Sequence, residues 1–117
     1  MGQRTEGRKS VSLDAVVSCP RFGLIRGRII DLAMDGLYVE AETSIVPIGA
    51  AVTVTFQPGE DLAGGCLSVK GRVAHQSLHG FGIEFDALEP ACREVVERLL
   101  ARAPDVPVRA LPVLRAI

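Results

Sequence analysis

The stretch Leu67-Ser68-Val69-Lys70-Gly71-Arg72-Val73-Ala74 alternates apolar and polar residues with a period of two. Past the turn pair His79-Gly80, the stretch Phe81-Gly82-Ile83-Glu84-Phe85 does so again. A period of two sends successive side chains to opposite faces of a strand, one face buried and one wet. The same alternation recurs upstream. Val52, Val54 and Phe56 alternate with Thr53 and Thr55, and Ile25, Gly27 and Ile29 with Arg26, Arg28 and Ile30. Val11, Leu13, Ala15 and Val17 alternate with Ser12, Asp14, Val16 and Ser18. Turn chemistry separates these runs at Cys19-Pro20, Asp35-Gly36, Pro47-Ile48-Gly49, Pro58-Gly59-Glu60-Asp61 with Gly64-Gly65, and His79-Gly80. Several short strands at close spacing predict an antiparallel barrel or sandwich.

The period then changes. Cys92, Val95, Val96, Leu99, Leu100 and Ala103 fall at helical spacing and form one apolar stripe. Pro90 suits the first turn of that helix, and Pro104 ends it by removing a donor and restricting Ala103. Glu94 and Arg98 form an i,i+4 pair on the wet face. The stripe predicts a helix that plugs an open side or end of the barrel. Residues 104–117 carry three prolines and read as a flexible or extended tail.

A chain of 117 residues, 48% hydrophobic and 23% charged, suits one small folded domain. Its net charge of −1 argues against a general binder of DNA or RNA polymers. The charges are unevenly placed. Residues 1–28 hold Arg4, Arg8, Lys9, Arg21, Arg26 and Arg28 against Glu6 and Asp14, whereas residues 31–61 hold six acids and no base. A local basic cluster on a nearly neutral chain suits a small anionic ligand better than a long polyanion. Cys19, Cys66 and Cys92 lack metal or redox spacing and fit reduced thiols in a cytoplasm. The polar start reads as no signal peptide, and no apolar run approaches the roughly 18 residues of a membrane span.

The residues do not suggest an enzyme. No nucleophile elbow, phosphate-binding Gly-rich loop or carboxylate pair is present, and Glu60 and Asp61 read as solvated turn residues. His75 and His79 would stand about 13 Å apart on one face of a continuous strand. No further ligand at zinc-like spacing accompanies them, so they read as single exposed histidines and no metal site is expected.

Two short motifs remain. Arg4-Thr5-Glu6-Gly7-Arg8 spaces two arginines four apart ahead of the first strand. Asp31-Leu32-Ala33-Met34-Asp35-Gly36 closes a strand with an acid five before a glycine. Arg suits planar, bidentate contact with phosphate oxygens and with the O6/N7 edge of guanine. Asp offers a fixed acceptor beside a backbone that Gly leaves open to close approach.

In that order on a strand-rich chain, the pair resembles the signature of PilZ domains, Arg-x-x-x-Arg followed by Asp/Asn-x-Ser-x-x-Gly. The resemblance covers roughly the first hundred residues and extends to Gly71-Arg72-Val73-Ala74-His75 with Gly80-Phe81-Gly82-Ile83-Glu84-Phe85. It implies a mainly β fold, a six-stranded antiparallel barrel with a C-terminal α-helix. The implied layout is a PilZ-like domain over 1–103, made of a ligand-binding arm 1–9, a barrel 10–86 and a helix 89–103, then the Pro-rich tail 104–117. It also implies a receptor or adaptor for cyclic di-GMP that changes conformation on binding and signals to a protein partner, with no other cofactor. The arginines, here Arg4 and Arg8, would contact phosphate and guanine, and Asp31 would accept from guanine N1–H and the exocyclic amine. Gly36 would let the chain turn beside the ligand. Gln3 and Lys9 flank the arginines as secondary contacts. Ala33 stands where the family has Ser, which leaves open a second reading: an adaptor on the same fold that binds proteins and no nucleotide.

Overall fold

The computed structural model of the chain describes residues 7–42, 46–59 and 65–104. Six strands, β1 (Lys9–Cys19), β2 (Gly23–Ala33), β3 (Gly36–Glu40), β4 (Ala51–Phe56), β5 (Leu67–Ser77) and β6 (Gly80–Phe85), precede one helix, α1 (Pro90–Arg102). The strands close into a barrel in the order β1-β2-β3-β6-β5-β4, and neighbours run antiparallel throughout. The alternating runs supply five of these strands. The sixth, β3, brings only Leu37 and Val39 inward and abuts the Asp35-Gly36 turn, so its alternation is too short to register.

Inward-facing residues from each strand fill the barrel. Val17, Ile29, Leu32, Leu37, Val39, Val54, Val73 and Phe81 are all buried, and no polar side chain joins them among the described residues. Each such Val, Leu, Ile or Phe contributes about 1.5–3 kcal/mol by leaving water. Helix α1 packs against β2 and β5 and seats Val96 and Leu99 on this core, with Cys92, Val95 and Leu100 half-buried beside them. Pro90 occupies its first turn after an extended Glu89, and Ala103 returns to extended backbone before Pro104. The Glu94–Arg98 pair forms at 3.2 Å on the exposed side, worth a few tenths of a kcal/mol. Past the helix, the Ser10 N–H donates to the Pro104 carbonyl at 2.7 Å. The C-terminal end of α1 is thereby tied to the start of β1.

Three β-bulges decide which face the site residues occupy. On β2, Ile29 is fully buried, and strict alternation would carry Asp31 inward as well. The register shift between Ile29 and Asp31 breaks the phase, so that Leu32 is the next core residue and Asp31 turns outward. On β5 the shift between Val73 and His75 does the same to His75, which is exposed although it lies two residues past the buried Val73. A third shift, between Ser10 and Leu13 of β1, lies across from the β2 bulge. Bulges bend a strand, raise its twist and re-aim side chains.

Candidate functional site

Arg8 and Asp31 meet on the outer face of the barrel. Arg8 Nε donates to Asp31 Oδ1 at 3.0 Å and Nη2 donates to the same oxygen at 2.5 Å. Both side chains are partly covered, 26% and 22% exposed, so the pair is less screened than a free surface ion pair. Both bonds land on Oδ1. Among the described residues nothing donates to Oδ2, which leaves an acceptor on a carboxylate held by the end of a strand. Arg8 Nη1 lies 4.0 Å from Asp35 Oδ1, and Asp35 is 85% exposed.

The backbone positions this group from three sides. Gly7, at φ +80, turns the chain into β1 in a region that L side chains rarely enter. Lys9, read above as the last residue of the arm, is the first residue of β1 and pairs with Leu32. The Asp35 carbonyl accepts from the Phe85 N–H at 2.9 Å, which fixes the β2–β3 turn to the end of β6.

Gly36 has a structural requirement of its own. It is buried, its φ is not positive, and a Cβ there would collide with the Ile83 carbonyl oxygen and sit 3.3 Å from Glu84 Cα. The close approach of β6 by itself requires a glycine here. Ala33 is the register partner of Gly36 and is 6% exposed. It flanks the inward Leu32, shares the outward face with Asp31, and is not part of the barrel core cluster. Arg4 and Gln3 lie outside the described residues, as do Glu60, Asp61 and residues 105–117.

A row of side chains extends the site sideways across the sheet. Asp31 pairs with Ser10 on one side and with Tyr38 on the other, Tyr38 pairs with Gly82, and Gly82 pairs with His75. Paired residues share a face. From Asp31 to His75 the row crosses three strand spacings, roughly 14 Å. Gly82 leaves a gap that the His75 ring fills, since a Cβ there would strike the imidazole. His75 stacks on Tyr38 with ring centroids 6.1 Å apart and planes 27° apart, and the Tyr38 hydroxyl bonds the Ser77 hydroxyl. Sequence reading treats His75 as a lone exposed histidine. The outward turn after Val73 and the glycine opposite are what make it half of an aromatic platform beside Asp31.

A separate cleft lies elsewhere. An open hollow of about 980 Å³ sits toward the β1–β2 hairpin tip, bordered by Phe22, Leu24, Arg26, Glu40, Val46 and His79. Arg8, Asp31 and Ala33 are not among its walls.

The PilZ domain family profile matches residues 2–102, a span that holds both motifs and every described strand. The chain belongs to the PilZ domain family. Three solved structures share the barrel. The PilZ domain of CeSA from a cellulose-synthesizing bacterium is 17% identical, with 80% of this chain and 94% of that chain covered and a TM-score of 0.65. The PilZ domain of YcgR from Escherichia coli, solved with c-di-GMP, is 14% identical, with 82% and 87% covered and a TM-score of 0.67. The Bacillus subtilis inhibitor of motility, MotI/DgrA, is 13% identical with a TM-score of 0.67, and the match covers 90% of this chain but half of that one. Identities this low carry the fold alone. No curated protein matches the chain significantly. No described helix is long and apolar enough to cross a membrane.

The departure of this PilZ domain from the family pattern at Ala33 yields a prediction. Alternation puts Ala33 on the same outward face as Asp31, two residues along, so Ala33→Ser adds a hydroxyl to that face. One hydrogen bond nets about 0.5–1.5 kcal/mol, or roughly two- to tenfold in affinity. Under the cyclic di-GMP reading proposed below, calorimetry should show tightening in that range. Unchanged or weaker binding by the folded variant would remove position 33 from the site.

Proposed function

We propose that this PilZ domain is a receptor for cyclic di-GMP that passes the ligand state to a protein partner in the cytoplasm. The observation that carries the reading is the Arg8–Asp31 pair, in which Asp31 Oδ2 accepts from none of the described residues, on the strand next to Tyr38 of the Tyr38–His75 stack. Guanine presents N1–H and an amine as donors on one edge and O6 and N7 as acceptors on another. A carboxylate answers the first edge and a guanidinium the second. Aromatic faces next to them stack a base at about 1–3 kcal/mol by alanine substitution. That the YcgR PilZ domain was solved with c-di-GMP supports the reading, because this chain has the same barrel.

The arrangement offers a path for signalling. A ligand that engages Arg8 acts on the first residues of β1, where the Ser10 N–H holds the Pro104 carbonyl and with it the end of α1. Arg4 would join from the arm. The domain performs no chemistry on the ligand in this reading.

Calorimetric titration tests it. Cyclic di-GMP should bind, and cyclic di-AMP should bind roughly ten- to a hundredfold more weakly. Adenine places an amine where Arg8 needs O6, and each well-made bidentate contact discriminates by about 1–3 kcal/mol. Equal affinity for the two dinucleotides would overturn the guanine assignment. No heat or shift with either would favour the second reading, a PilZ adaptor that binds proteins alone, in which Ala33 marks the loss of the ligand.

A further inference from the structure

We infer that Asp35 lowers the affinity of this site for its anionic ligand by competing for Arg8. The inference rests on the cyclic di-GMP reading above and goes beyond it, because position 35 is a variable place in the motif. Three observations carry it. Arg8 Nη1 is 4.0 Å from Asp35 Oδ1, and Nη1 is the guanidinium nitrogen that the Asp31 bonds leave open. The Asp35 carbonyl accepts from the Phe85 N–H at 2.9 Å, so the backbone that carries this carboxylate sits on a turn fixed to β6. Two carboxylates, Asp31 and Asp35, face the one guanidinium of Arg8, so Asp35 subtracts from the positive charge that Arg8 and the adjacent Lys9 offer to two phosphodiesters. Asp31 has a use for its charge, as acceptor for guanine donors. Asp35, at 85% exposure, contributes no hydrogen bond from its side chain among the described residues. Its remaining effect on the site is electrostatic: it screens Arg8 from incoming phosphate and repels that phosphate directly.

Two variants test this, each titrated with cyclic di-GMP at low and high salt. Asp35→Asn removes the charge and keeps the shape. It should tighten binding about three- to tenfold at low ionic strength, as expected for one charge at about 4 Å in a wet setting. Asp35→Lys changes the charge by two and should tighten binding further. Both gains should shrink at about 1 M salt, where the Debye length falls to about 3 Å. Because the side chain is exposed, the melting temperature should hardly move. Unchanged affinity at low salt, or weaker binding that shows Asp35 holding Arg8 in place, would overturn the inference while leaving the ligand assignment standing. Binding by Asp35→Asn but not by the parent would support it in its strongest form. No binding by parent or variants would overturn both the ligand assignment and the role of Asp35.

Discussion

Asp31→Ala is expected to weaken cyclic di-GMP binding by a hundredfold or more. The carboxylate would accept two hydrogen bonds from guanine, each worth about 1.5–3 kcal/mol when one partner is charged, and about 2.7 kcal/mol already corresponds to a hundredfold. The substitution also removes the acceptor of both Arg8 Nε and Nη2, so the guanidinium would lose its preset orientation. Stability should suffer far less. The pair is about a quarter exposed, and ion pairs at partly wet sites contribute on the order of 1 kcal/mol. Isothermal titration against a thermal melt separates the two effects. A variant that binds within threefold of the parent would remove Asp31 from the ligand site, and a variant that unfolds would make the residue structural. Asp31→Asn is the informative companion, since its amide keeps the shape while losing the charge and presenting donors to a donor edge.

Gly36→Ala is expected to act on the other side of the ledger, on the fold. A methyl group there meets the Ile83 carbonyl of β6, which is backbone and cannot swing aside like a side chain. Overpacking of this kind costs about 1–3 kcal/mol, and in a domain of this size 1 kcal/mol moves the melting temperature by about 4–8 °C. A drop on the order of 10 °C is predicted, with the affinity of the folded fraction changed little. The opposite pattern, an unaltered melt with binding lost, would return Gly36 to the role its motif position suggests, that of giving the ligand room to approach.

The contrast between these two residues shows what the sequence makes legible. The strand alternation and the helical stripe lead to the barrel and to α1 because each depends on local period alone: Val52, Val54 and Phe56 point inward as spaced, and Val96 and Leu99 seat the helix. β3 escapes the same reading because five residues hold too little of the pattern. Asp31 and Arg8 can be picked out as a motif pair, but nothing in their spacing says that they touch. That follows from the β2 bulge, which turns Asp31 outward. His75 and Tyr38 are harder still. Their stack depends on a bulge after Val73 and on Gly82 across the strand, two features of register that no local pattern encodes. Asp35 belongs with them, since its approach to Arg8 is set by the turn that Phe85 holds.

The central claim is that ligand binds the outward row that crosses β1, β2, β3, β6 and β5 and not the open hollow at the hairpin tip. A backbone amide NMR titration with cyclic di-GMP tests it most directly, with cyclic di-AMP as the control. The account predicts saturable shifts at Arg8–Ser10, Asp31–Tyr38 and His75, weaker ones at the end of α1 through the Ser10–Pro104 link, and none at Phe22 and Leu24. Shifts confined to Phe22, Leu24, Arg26 and Val46, or no saturable shifts at all, would contradict it.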